Sequence, residues 1–306
     1  WTSGTAGQVL ADDGLGNHDL TWVDMGGGLF EENTTGGAQS TQRVGAGTAS
    51  GYYSTISGGY INTASGDYST IGGGIYNTSS GPASTVGGGG GSTASGYYST
   101  IGGGIYNIAS DNISTVGGGY NNTASGYNST ISGGRTNIAS DDRSTVGGGG
   151  NNTASAAYST IGGGGNNTAS NYASTVGCGI YNTSSGPGST VGGGGGNTAS
   201  NDTSTVGGGY SNIASGYIST VGGGQSNIAS GYYSTIGGGD SNSASGDYSS
   251  VLGGQNNNTS TFANSHIIGS NITSDRADTT FVESLSIKSI PLSAAGLPSG
   301  SVWSNA

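Results

Sequence analysis

The residues able to do chemistry are few and poorly placed for it. The two histidines, His18 and His266, stand far apart, whereas general acid–base work needs such groups within hydrogen-bond reach of one substrate. Residues 54–263 contain no Lys, Glu or His. No G-x-S-x-G, no H-E-x-x-H and no Cys/His cluster occurs. Glycine runs such as Gly87–Gly91 lack the lysine and following helix of a phosphate loop. Seven aspartates lie in this stretch: Asp67, Asp111, Asp141, Asp142, Asp202, Asp240 and Asp247. The Asp141–Asp142 pair is the best calcium candidate among them. Calcium takes about six to eight oxygens, so a solvated edge is the better reading. Cys178 is the single cysteine, which excludes an intrachain disulfide framework. The expectation is a chain that is not an enzyme and holds no cofactor and no metal.

That leaves the tyrosines. All 18 fall between residues 52 and 248, almost entirely at variable positions of a repeat. Tyr97, Tyr98, Tyr127, Tyr217, Tyr232, Tyr233 and Tyr248 map to one edge and form the candidate contact edge. Tyr60, Tyr76, Tyr106, Tyr120, Tyr181 and Tyr210 map to another. A rigid apolar ring with a polar tip suits a partner protein or the face of a sugar. Packing against neighbouring chains is the competing reading.

What positions these rings is a 15-residue unit, S-T-[IV]-G-G-G-x-x-N-T-A-S-G-x-x, repeated fourteen times from Ser54 to Ala263 without an insertion. Its third position is always β-branched: Ile56, Ile71, Val86, Ile101, Val116, Ile131, Val146, Ile161, Val176, Val191, Val206, Val221, Ile236 and Val251. The ninth is Asn62, Asn77, Asn107, Asn122, Asn137, Asn152, Asn167, Asn182, Asn197, Asn212, Asn227, Asn242 and Asn257, with Ser92 as the exception. Such a unit is too short for two helices and a turn, and a glycine triplet opposes any helix. S-T-[IV] and T-A-S read as brief strands, and G-G-G and S-G as corners. One unit cannot bury a face alone, so units stack, one coil per repeat. The fold class is all-β, a parallel β-solenoid or β-roll.

Alternation assigns faces. The third-position Ile or Val and the eleventh-position Ala (Ser79, Ser184 and Thr259 substituting) point inward, and the second-position Thr outward. The Asn column reads as a ladder of amides bonded to one another and to the turn backbone. At about 4.8 Å per coil the rod is roughly 65–70 Å long. One Ile or Val and one Ala per coil make a thin apolar core. This favours rods associating along a shared face, and closed symmetric oligomers are the usual solution.

Composition bounds the partners. A formal charge of −11 with five Lys+Arg argues against nucleic acid, whose phosphates need Lys and Arg, and against anionic membrane. No run of about 20 apolar residues is present, so no membrane insertion is expected.

The unit T-[IV]-G-G-G-x-x-N-T-A-S-G-x-x-S resembles the head repeat of YadA-type trimeric autotransporter adhesins, most openly over Thr115–Ser129. Two features depart from it: the unit is 15 residues with a glycine triplet, and no coiled-coil stalk or membrane anchor follows. The resemblance implies a side-by-side homotrimer of β-rolls that binds host surfaces. Residues 1–38 read as an N-terminal fibre-type module whose GTAGQVLADDGLGNHDLTWVD resembles phage tail-fibre and giant-virus structural proteins. It has two brief strands, Gln8–Leu10 and Leu20–Val23. Residues 39–278 are the repeat domain, with regular coils over 54–263 and distorted capping coils at each end. Residues 279–306 are a C-terminal strand and tail. Their strand is expected over Thr279–Ile290, and the segment after it resembles marine phage and virus fibre proteins.

The leading expectation is therefore a non-enzymatic fibre or adhesin, extracellular, on a virion surface or a cell surface. It works as a rigid rod with edge contacts to a cell-surface receptor or glycan. An ice-binding β-solenoid is the alternative, because T-A-S sets Thr and Ser on one face. That array is broken where Ile108, Ile138, Ile213 and Ile228 take the Thr position. A self-assembling extracellular filament is a further variant, because open solenoid ends invite pairing.

Overall fold

The computed structural model describes residues 47–286, together with the backbone of strands Gln8–Asp12, Leu20–Asp24, Phe30–Glu32 and Thr41–Arg43. The chain is an all-β parallel solenoid of about 16 turns. No helix occurs among the described residues. Each coil contributes two-residue strands to two sheets. The first sheet holds the second and third positions: Thr55–Ile56 pairs with Thr70–Ile71, which pairs with Thr85–Val86, and so on at a constant step of one repeat. The second is a 14-stranded sheet of tenth and eleventh positions, from Gly47–Ala49 to Ser243–Ala244. A third file of single bridges joins the seventh positions, from Tyr60 and Ile75 to Asp240 and Gln255.

Because the step is constant, like sits over like, and the interior is four columns wide. Ile56 and its equivalents through Val251 are fully buried, as are the eleventh-position alanines, the first-position serines and the Asn column. The inward hydroxyls of Ser54, Ser69, Ser99, Ser219, Ser234 and Ser265 have no hydrogen-bond partner. Where Ser79 and Ser184 replace alanine, they face Ser84 and Ser189 at 2.7 and 2.6 Å.

The corners explain the glycines selectively. The sixth position carries φ between +84° and +101° in every regular coil and is always Gly. A Cβ on Gly134 would lie 2.2 Å from the Gly149 carbonyl oxygen. The eighth and fifteenth positions are also left-handed, yet they carry Ile61, Tyr76, Thr136, Ile113 and Arg143, with φ between 51° and 59°. β-branched residues there are uncommon and strained. The fifteenth position closes a β-turn, with Ser84 N–H bonded to Gly81 O at 3.1 Å. A positive φ only at its third residue is the type II pattern, which Pro82 and Pro187 suit at the second.

Two details of the flanks differ from the sequence expectation. Gln8–Asp12 and Leu20–Asp24 form an antiparallel pair, each strand longer than anticipated. At the other end Thr279–Val282 pairs in parallel with Ser265–Ile268, so it is one more coil of the rod. The strand runs from Thr279 to Val282, and Glu283, Ser284, Leu285 and Ser286 lie beyond it. Residues 287–290 and the tail beyond lie outside the described residues. Between the last regular coil and Ser265–Ile268 the register steps by one extra residue, Val251 facing Ile267. Thr41–Arg43 pairs in parallel with Thr55–Ile56 and is backed by the antiparallel strand Phe30–Glu32.

Candidate contact edges of the rod

The Asn column sets the geometry of everything outside it. Each Oδ1 accepts the backbone N–H of the ninth residue one coil on, as Asn62 does from Asn77 at 3.0 Å. Each Nδ2 donates to the fifth-position carbonyl of its own coil and the sixth-position carbonyl of the next; Asn122 donates to Gly118 at 3.0 Å and Gly134 at 2.9 Å. The ladder is thus mainly side chain to backbone. Direct amide–amide bonds occur only at Asn122–Asn107, Asn227–Asn212 and Asn242–Asn227. Ser92 carries the chain of acceptors across its gap, its hydroxyl accepting from Asn107 N–H at 3.2 Å.

One edge of the rod is the turn at the fourteenth and fifteenth positions. Tyr97, Tyr98, Tyr127, Tyr232, Tyr233 and Tyr248 lie exposed on it, and Tyr217 is half-buried. Tyr52, Tyr53, Tyr68, Tyr158 and Tyr172 occupy the same edge. They were not selected as contact residues from sequence, although their repeat positions give the signal. The rings form runs along the rod. Tyr53 stacks on Tyr68 and Tyr233 on Tyr248, both at 5.2 Å between centroids. Tyr217 reaches Tyr232 and Tyr233 at 5.9 and 5.7 Å. The Arg143 guanidinium sits 5.1 Å above the Tyr158 ring and donates to its hydroxyl.

Two of these phenols are made less acidic by a neighbouring ring. Tyr52 beside Tyr53, with centroids 4.4 Å apart, raises the Tyr53 pKa through a phenol–phenol hydrogen bond and charge repulsion. Tyr98 does the same to Tyr97. The aspartates of this edge serve the turns. Asp67 and Asp247 accept the N–H of Tyr52 and Tyr232, each at 2.9 Å. The Asp141 carboxylate accepts the N–H of Asp142 at 2.7 Å. Among the described residues no group of three or more His, Cys, Asp or Glu could hold a metal.

The second edge, at the seventh and eighth positions, carries Tyr60, Tyr76, Tyr106, Tyr120, Tyr181 and Tyr210, all exposed. Beside it runs a file of fifth-position glycines that the fold does not explain. Around Gly58, Gly73, Gly88, Gly103, Gly163, Gly223 and Gly253 nothing lies within 4 Å of where a Cβ would be. Their φ is not left-handed. Cys178 occupies the same position exposed, and its carbonyl still accepts from Asn182. The flat outer face of the second sheet carries Thr63, Thr78 and Thr93, then Ile108 directly beside Thr123 and Ile138 beside Thr153. The hydroxyl file is interrupted in space as well as in sequence.

The family model of the ubiquitous surface protein adhesin repeat matches residues 204–216. The matched segment, Ser204–Gly216, is most of one coil. No curated protein matches the chain. No helix among the described residues is long and apolar enough to cross a membrane.

Proposed function

We propose that the chain is a non-enzymatic, adhesin-like structural fibre, displayed outside cells. The observation that carries this reading is the adhesin-repeat match at residues 204–216, because that coil pairs in register with its neighbours on both sides and stands for the whole rod. Rods of this kind act by length, stiffness and repeated contact rather than by a single pocket. The resemblance of the terminal stretches to phage and giant-virus fibre proteins favours a virus particle over a cell surface as the place of display.

The rod works as three copies side by side, with its tyrosine edges free to meet a receptor or glycan. Fifth-position glycines such as Gly58, Gly73, Gly88 and Gly103 support association: neither φ nor crowding within the chain calls for them, so they leave room for a second rod with the same period. Charge agrees, since none of the seven aspartates of the coils lies at the fifth position and six sit at the opposite turn. Light scattering on a gel-filtration peak tests it. A mass near three times 29.4 kDa is expected, and a stable folded monomer overturns the trimer.

A further inference from the structure

The edge at the seventh and eighth positions is notched twice by a glycine pair, Gly90–Gly91 and Gly195–Gly196. The backbone does not demand them. Gly91 has φ +62°, and Ile61, Tyr76 and Tyr106 hold φ between 51° and 58° at the same position. What glycine supplies there is space. The first pair floors a cleft of about 650 Å³, walled by Ile75 and Tyr76 on one side and Ile105 and Tyr106 on the other. A Cβ on Gly91 would lie 2.6 Å from the Tyr106 ring, so the ring reclines over the glycine. At the second pair a Cβ on Gly195 would lie 3.3 Å from the Tyr210 ring.

Three of the four main-chain groups of the pair are already bonded. Gly90 N–H bonds Gly104 O, Gly91 N–H bonds Ile75 O, and Gly90 O accepts from Tyr106 N–H. What the cleft presents is apolar ring faces edged by phenol hydroxyls. No charged side chain lines it, and the chain carries −11 overall, which disfavours anions.

We propose that each notch seats one neutral pyranose unit of a glycan. The ligand that fits is flat, uncharged, apolar on its face and hydroxylated round its rim. Its C–H face lies on Tyr106 or Tyr210, and its rim hydroxyls meet the phenols. A cleft of this volume is of the size small ligands occupy, about 300–1,000 Å³. A second rod is a poor occupant, since it touches every coil alike and the notches interrupt two. The notches are seven coils apart, about 34 Å, so a polymeric or clustered glycan engages both and gains by avidity. This deepens the adhesive reading and rests on it.

Saturation-transfer NMR with maltotriose, cellotriose and chitotriose tests it, with 3′-sialyllactose as the anionic control. Transfer to at least one neutral trisaccharide and none to the sialylated one is expected. Gly91→Asn with Gly196→Asn fills both notches with a residue that already stands there in Asn121, Asn151 and Asn166, so the variant folds. It should weaken binding by roughly tenfold or more, and Tyr106→Ala with Tyr210→Ala should do the same. No transfer from any neutral trisaccharide, or binding unchanged in both variants, overturns the proposal. The particle mass and adhesion of the same samples to host-cell layers report on the fibre separately: if both persist while sugar binding fails, the notch alone is wrong.

Discussion

Asn122 and Asn137 are joined across one coil by a bond from the Asn137 backbone N–H to the Asn122 Oδ1, 2.9 Å long. The same Asn122 amide clamps the carbonyls of Gly118 and Gly134. One fully buried side chain therefore bonds three main-chain groups at a corner, of which only Gly134 O has a main-chain donor as well, the Tyr120 N–H. Because the pattern recurs coil after coil, the column defines the corner and the register at once.

Asn152 shows what such a residue is worth. It accepts from Asn167 N–H and donates to the carbonyls of Gly148 and Gly164. Asn152→Ala strips Asn167 N–H and Gly148 O of this partner, while Gly164 O keeps the Gly150 N–H, and should cost about 1–3 kcal/mol. Asn152→Ser, which imitates Ser92, keeps one acceptor and should cost less. Urea unfolding of the two variants checks the order, and equal losses would mean that the amide is not the clamp.

Glycines at the fifth and sixth positions should behave oppositely. Gly134 has φ +95° and would drive a Cβ into the Gly149 carbonyl, so Gly134→Ala should destabilise the rod by about 3 kcal/mol or more. Gly103, with nothing near its Cβ position, should accept Gln with a change in stability within about 0.5 kcal/mol. Gly103→Gln with Gly163→Gln should instead lower the solution mass. A variant that melts normally and keeps its mass would remove the glycine file from the interface.

Strain at the turns makes one substitution stabilising. Ile113 holds φ 59° while 42% exposed, so little burial is lost on replacing it. Asn128 occupies the equivalent site with φ 55°, and Asn tolerates this region better than a β-branched residue. Ile113→Asn should raise stability by about 1 kcal/mol. A lower urea midpoint would show that the exposed isoleucine is held by packing.

The coil, its stacking and its inward residues were legible because a 15-residue period leaves no freedom of register: fixing where Ile71 points fixes Val86 and Ile101 as well. The reach of Asn62 and its equivalents was only half legible. A fixed Asn at a corner signals a ladder, but whether its amide meets another amide or the backbone depends on the depth of the corner. The left-handed fifteenth position was hidden, since Tyr68, Ile113 and Arg143 share no type that announces positive φ. The Gly90–Gly91 notch was hidden for the opposite reason, lying in a run of glycines that reads as one corner. At the end of the rod, Thr279–Val282 no longer repeats the unit, so its place as one more coil appears only in its pairing with Ser265–Ile268.

The paired phenols give the edge a signature in alkaline solution. Tyr53 and Tyr97 ionise above the ordinary tyrosine value because Tyr52 and Tyr98 hydrogen-bond them and repel their charged forms. A raised pKa in the folded rod means that the neutral phenol is favoured there more than in the unfolded chain. The associated stability is intact below about pH 10 and is lost as pH rises through the raised folded values. Ultraviolet titration of phenolate should therefore show a late fraction. Tyr52→Phe should return Tyr53 to the main transition, and Tyr98→Phe should do the same for Tyr97. A late fraction that survives both substitutions would show that the rings do not meet at the edge of the rod in solution.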